Sequence, residues 1–169
     1  MDTNAALQIL ALAMEREDGG SKFYLDAANR TDDAKGKKMF QWLAEEEKRH
    51  YNKLLIQHKE LSRGGNWQNI ESDEAPISAR EFPSLAEAAG EVKAGAGDLD
   101  ALQMGINAEK ESIELYSKAA QEATDSQAKA MFLGLIEEEQ GHLELLEAEH
   151  EWLAKSRQYF TIHRFFLPG

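Results

Sequence analysis

Apolar side chains return every three or four residues along two long stretches of the chain, and between those stretches the rhythm stops. In the first stretch Leu7, Leu10, Ala13, Met14, Tyr24, Ala27 and Ala28 mark one face of a helix over about residues 3–30, with Thr3 or Asn4 as its N-cap. Thr31-Asp32-Asp33 reads as a turn and the next cap. A second helix is predicted from about Ala34 to Leu61, with Met39, Phe40, Leu43, Leu54 and Leu55 on its inner face. The rhythm resumes at Asp98, giving helix three to about Ala123 and helix four from about Ser126 to Lys155, parted by Thr124-Asp125. Residues 62–98 differ in texture, with Gly64-Gly65, Pro76, Pro83 and Gly95-Ala96-Gly97. They read as a long connection holding one short helix, opened by the capping box Ser84-x-x-Glu87. A link of that length needs a reason. Crossing the length of a bundle, so that helices two and three run parallel, supplies one.

The two stretches are copies. Residues 7–58 align with 99–150 without a gap, giving 17 identities in 52 positions. The architecture this predicts is all-α: a four-helix bundle of two pseudo-repeated helix pairs with a long crossover between helices 2 and 3. The bundle occupies residues 1–155, and an aromatic C-terminal tail, 156–169, follows it. That tail is expected to pack on the bundle or a partner chain, or to serve as a docking peptide.

Composition narrows the possibilities. The net charge is −12 with no basic run, which argues against nucleic acid and against anionic membrane surfaces. There is no cysteine, hence no disulfide, thiolate chemistry or cysteine-held iron or zinc centre. No apolar run is long enough to cross a bilayer, and Met1-Asp2-Thr3-Asn4 lacks the basic start of a secretory signal, so a cytoplasmic location is expected.

What the copies repeat is chemistry. Glu47-x-x-His50 recurs as Glu139-x-x-His142, and the same 92-residue step relates Glu17 to Glu109 and Tyr24 to Tyr116. A carboxylate and an imidazole three residues apart leave one face of a helix together. All six Glu and His positions fall on the apolar stripe. An unpaired carboxylate there costs several kcal/mol, and four near one point repel. Two divalent cations balance four carboxylates in formal charge and leave two neutral imidazoles to complete the shells. This ligand set is that of di-iron and di-manganese carboxylate bundles. Glu45, Glu46, Glu111, Glu137 and Glu138 read instead as solvated. His58 and His150 also repeat, but eight residues turn a helix by about 80°, which carries them away from the centre.

Glu17 with Tyr24, Glu47-x-x-His50, Glu109 with Tyr116 and Glu139-x-x-His142 together resemble the di-iron domain of the rubrerythrin family, within the ferritin-like superfamily. The likeness covers roughly residues 3–155. It implies that Glu47 and Glu139 bridge two metals, and that Glu17, His50, Glu109 and His142 are terminal ligands, with the pairing of histidine to metal left open. It implies that Tyr24 and Tyr116 donate hydrogen bonds to the ligands, against the plainer reading of core tyrosines. Full-length rubrerythrins carry a four-cysteine rubredoxin-like module, which this sequence lacks, so electrons are expected from an external donor. Many rubrerythrins also place a further ligand Glu where this chain has Ser112, and the duplicate position is Gly20. Either the small residues leave space beside the metals for dioxygen, peroxide or water, or they let helices pack closely.

The expected function is a non-haem di-iron oxidoreductase, its ferrous site oxidised by hydrogen peroxide or dioxygen. Imidazole and carboxylate donors suit iron first, then manganese, with zinc a further choice. Two alternatives stand beside it: a ferroxidase and iron-storage protein, or a non-catalytic metal-stabilised bundle that binds a partner through its tail. A homo-oligomer, most simply a dimer, is expected, and the long connection leaves exchange of helices between chains open.

Overall fold

The computed structural model describes the backbone of residues 1–69 and 96–166 and the side chains of 1–69 and 98–156. Within them the chain forms four helices: α1 Thr3–Arg30, α2 Ala34–Ser62, α3 Ala96–Glu122 and α4 Ser126–Phe166. The expected short helix at Ser84-x-x-Glu87 lies outside the described residues, as do the side chains of the tail. Among the described residues no helix is long and apolar enough to cross a membrane.

Helix ends follow local chemistry. The cap of α1 is Asp2, not the expected Thr3 or Asn4, and its carboxylate accepts from the amide of Ala5 at 2.8 Å. Asp33 caps α2 by accepting from the amide of Gly36. That helix stops where Gly64 turns to φ +77°, a left-handed conformation open to glycine at little cost. The amides of Gly64 and Gly65 then return to the carbonyls of Leu61 and Glu60 at 3.1 and 3.0 Å. α4 continues to Phe166, past the Lys155 at which the apolar pattern ended it. The chain offers no proline or glycine between Lys155 and Pro168, so nothing in the backbone chemistry stops the helix there.

The helix directions come from contacts between named residues. α1 and α2 form an antiparallel pair through the Thr31–Asp33 turn, with the Ser21 hydroxyl donating to the Ala44 carbonyl at 2.9 Å. α1 also runs antiparallel to α3: the Met1 amino group meets the Glu122 carbonyl at 2.8 Å, Arg16 pairs with Glu111 at 2.7 Å, and Tyr24 lies against Gly105. Two reversals make α2 and α3 parallel, so the end of α2 and the start of α3 lie at opposite ends of the bundle, as the expected crossover requires.

The apolar core is split into two clusters. One gathers Tyr24, Ala27, Ala28, Met39, Phe40, Leu43, Leu102 and Leu146. The other holds their 92-residue counterparts, Tyr116, Ala119, Ala120, Phe132, Leu135, Leu10 and Leu54, with the counterpart of Met39, Met131, packed at its edge. Each cluster therefore takes side chains from both repeats. In each a tyrosine stacks on a phenylalanine, Tyr24 on Phe40 and Tyr116 on Phe132, both at 6.2 Å between ring centroids.

At the outer ends the copies diverge. Gln57 is fully buried; its side-chain oxygen accepts from the Gln68 amide at 2.9 Å. Its counterpart is Glu149, also buried, whose Oε2 has no hydrogen-bond partner. Burial, followed by the charge of Asp33, raises this carboxyl to about 7, with Lys35 opposing. Because the folded state holds this proton more tightly than the unfolded chain, stability from this group is present at acid pH and is lost as pH rises towards 7. Glu149→Gln is accordingly expected to raise the unfolding free energy at pH 8 by about 1 kcal/mol after allowance for solvent screening, and to change it little at pH 5. Chemical unfolding of the two proteins at both pH values checks this.

Candidate metal centre

Between the two apolar clusters lies a layer of buried polar groups. Glu17, Glu47, His50, Glu109, Glu139 and His142 are each 5% exposed or less. The helical stagger explains how they arrive together. Glu47 and His50 leave α2 one turn apart, Glu139 and His142 leave α4 likewise, and α1 and α3 each add one glutamate.

The six residues form two overlapping groups. Ligand atoms of Glu17, Glu47, His50 and Glu139 lie within 4.8 Å of one another, and so do those of Glu47, Glu109, Glu139 and His142. Glu47 and Glu139 belong to both. His50 falls with Glu17, their Nδ1 and Oε2 atoms 3.4 Å apart, and its Nδ1 is 3.1 Å from Glu139 Oε1. His142 Nδ1 stands 3.0 Å from Glu139 Oε2, 3.8 Å from Glu47 Oε1 and 4.0 Å from Glu109 Oε2. The two imidazoles stack at 5.5 Å with 19° between their planes.

The tyrosines cross between repeats. The Tyr24 hydroxyl donates to Glu109 Oε1, and the Tyr116 hydroxyl donates to Glu17 Oε1. Burial first, and then the charge of the carboxylate each one meets, pushes both phenols well above their usual range, so both remain donors. Each thereby occupies one oxygen of its glutamate and leaves the other facing the cluster. Tyr24 passes close over α3 to do this: a Cβ at Gly105 would stand 3.2 Å from its ring and hydroxyl. At Gly20 a Cβ would sit 3.3 Å from the carboxylate of Glu47 on α2, so the missing side chain makes room for a ligand candidate where α1 packs closely on α2.

Two glutamates expected to be solvated are not. Glu46 is buried and pairs with Arg49. Glu138 keeps only 21% of its side-chain exposure, places Oε2 2.7 Å from His50 Nε2, and accepts from Lys53 at 2.8 Å on both oxygens. They point inward because the carboxylates one residue before Glu47 and Glu139 flank the same imidazoles, a relation across helices that spacing along one helix does not reveal. His58 and His150 belong to neither group, as expected.

The residues fit a pair of cations. Glu17 Oε2, Glu139 Oε1 and both ring nitrogens of His50 are buried without a hydrogen-bond partner, although His50 Nε2 lies near Glu138, off the line its N–H requires. Buried polar atoms left open in this way are rare in native proteins. Without metal, protons carry the compensating charge. Burial first, then the negative charge of Glu139, raises Glu47 and Glu109 well above the ordinary carboxylate range. Burial opposes charging of His50, yet Glu139 and Glu138 outweigh it and raise its affinity for a proton. His142 goes the other way, pushed down to about 4 mainly by burial. Glu17 stays below its usual value despite burial, held there by Glu47 and His50.

A family model described as rubrerythrin matches residues 8–150. Among solved structures, a hypothetical protein from Pyrococcus furiosus is 25% identical, with a TM-score of 0.68, over 89% of this chain and 90% of its own. No curated protein sequence matches.

Four clustered buried carboxylates are a burden without a compensating cation. Glu47→Gln is expected to stabilise the metal-free protein at pH 8 by about 1–2 kcal/mol, since it removes a charge that burial and Glu139 oppose. The same substitution is expected to shrink the rise in melting temperature that ferrous or manganous ion gives the wild type. Unfolding curves with and without metal test both halves; a metal-free variant less stable than wild type would count against the electrostatic account.

Proposed function

The chain belongs to the rubrerythrin family, and from that premise we propose that it is a di-iron oxidoreductase whose ferrous centre is oxidised by hydrogen peroxide or dioxygen and re-reduced by an external donor. The observation that carries this reading is the pair of overlapping four-residue groups sharing Glu47 and Glu139. Glu17, Glu47, His50 and Glu139 would hold one ion and Glu47, Glu109, Glu139 and His142 the other, with Glu47 and Glu139 common to both. An all-oxygen-and-nitrogen donor set without thiolate suits iron, with manganese next.

Two ferrous ions supply one electron each, which with two protons is the requirement for reducing hydrogen peroxide to two waters. The protein's share is binding, orientation and exclusion. Tyr24 and Tyr116 hold Glu109 and Glu17 in one rotamer by occupying one oxygen of each. The stacks of Tyr24 on Phe40 and Tyr116 on Phe132 close the layer from both ends of the bundle, which keeps bulk water from the ligands. Glu138 sets a negative charge 2.7 Å from His50 Nε2, and Lys53 anchors Glu138.

Loading the protein with ferrous iron in the absence of oxygen, desalting and counting iron tests the proposal. Two irons per chain are expected, falling to one or none in Glu47→Ala and Glu139→Ala. Peroxide is expected to oxidise the loaded wild type to the ferric state in a single turnover. Tyr116→Phe is expected to keep its iron but oxidise roughly tenfold more slowly, as for loss of one hydrogen bond to a ligand. Failure of the wild type to bind more than one iron would remove the redox reading.

A further inference from the structure

The two repeats supply matching ligands, but they cover them differently. On α2 the indole of Trp42 stands edge-on to the ring of His142, centroids 5.3 Å apart at 86°. The residue 92 positions further on is Gly134, and a Cβ built there would meet nothing within 4 Å. In place of an indole, the second repeat has a cavity of about 130 Å³ walled by Lys53, Gln68, Gln127, Met131, Gly134 and Glu138. Glu138 is also the group against His50 Nε2, at 2.7 Å, while His50 itself is 1% exposed. The His142 side of the centre is therefore closed by an aromatic ring, and the His50 side is one carboxylate away from a polar cavity.

The chemistry of the wall selects what enters. Lys53 lies 2.8 Å from both oxygens of Glu138, so the two charges cancel. The remaining polar groups include the neutral amides of Gln68 and Gln127. Such a wall has no net charge to draw in an ion, but it offers donors and acceptors on several sides. Liquid water occupies about 30 Å³ per molecule, so the volume accommodates a few water-sized molecules or a solute of two to four heavy atoms. A small uncharged molecule with donors and acceptors at both ends matches best, and hydrogen peroxide has that chemistry.

We propose that the cavity beside Gly134 is a site where hydrogen peroxide gathers before it reaches the metal centre from the His50 side. Trp42 closes the equivalent approach from the His142 side. The inference rests on the function proposed above for its consequence, but the cavity itself is testable without metal.

Met131 provides the metal-free test. Peroxide transfers one oxygen to a thioether, giving the sulfoxide and water, and ordinarily the more exposed methionine reacts first. Met104 is 59% exposed and Met131 is half-buried. If the cavity gathers peroxide, peptide mass spectrometry of the metal-free protein will find Met131 oxidised at least as fast as Met104. In Gly134→Trp, which rebuilds the indole of the first repeat, oxidation of Met131 is expected to fall roughly fivefold or more with Met104 unchanged. After iron loading, the same variant is expected to hold two irons per chain and to be oxidised by peroxide about tenfold more slowly. Gly19→Trp, an indole at another exposed helical glycine with open space around it, is expected to behave as wild type. Should Gly134→Trp lose its helical signal, Gly134→Leu replaces it, with the same directions and smaller changes. Met131 reacting more slowly than Met104, or unaltered oxidation kinetics in an iron-loaded Gly134 variant, would overturn the cavity site. Wild type that binds fewer than two irons would instead overturn the di-iron reading, and the Met131 comparison would still decide the cavity.

Discussion

Four carboxylates buried at one point are the constraint around which this protein is arranged. Taking an ion out of water costs several kcal/mol even after relaxation, and a domain of this size is stable by only about 5–15 kcal/mol in total. Four unneutralised carboxylates would consume that margin. The structure answers in three ways. Tyr24 and Tyr116 each donate to one terminal glutamate. Two imidazoles stand among the carboxylates. The remaining charge must be met by protons or metal ions, and the raised proton affinities of Glu47, Glu109 and His50 measure how strongly the empty site calls for cations.

The same constraint explains why the core is divided. A polar layer across the middle of a bundle would let water in unless it were sealed from both ends. The two apolar clusters do this, and each is assembled from both repeats. Neither repeat is self-sufficient. Tyr24 from the first serves Glu109 of the second, Tyr116 serves Glu17 in return, and Glu47 and Glu139 are common to both ligand groups. One helix pair alone would expose half a core and two or three unpaired ligands. Duplication followed by pairing solves the apolar and the electrostatic problem together.

Much of this was legible in the sequence because it is periodic. Stripe position placed all six ligand candidates, and the 92-residue step predicted two helix pairs and a crossover. What escaped was set by contacts between helices or by small choices at helix ends. Asp2 rather than Thr3 caps α1, since either can accept from an early amide and only the backbone path decides. α4 passes Lys155 because a helix without a breaker continues where the apolar pattern no longer records it. Glu46 and Glu138 sit one residue before Glu47 and Glu139, a position that points obliquely on a single helix but inward once four helices surround the centre. Gly20 gave the signal of a small residue, and only the position of Glu47 shows what the space is for.

The differences between the copies carry as much meaning as the likenesses. The candidate ligands match, as two equivalent cation sites would require of their donors. The coverings have no such requirement, and there the repeats part: Trp42 against Gly134, Arg49 against Gly141, Lys53 against Leu145. Arg49 pairs with Glu46 within α2, whereas Lys53 reaches across to Glu138 on α4. Both flanking carboxylates thus take a cation from α2, whereas the matching places on α4 hold Gly141, with open space around it, and the buried Leu145. The outcome is a centre symmetric in its ligands and unequal in its surroundings. Two faces with different chemistry can admit one kind of small molecule and exclude another, which two identical faces could not do.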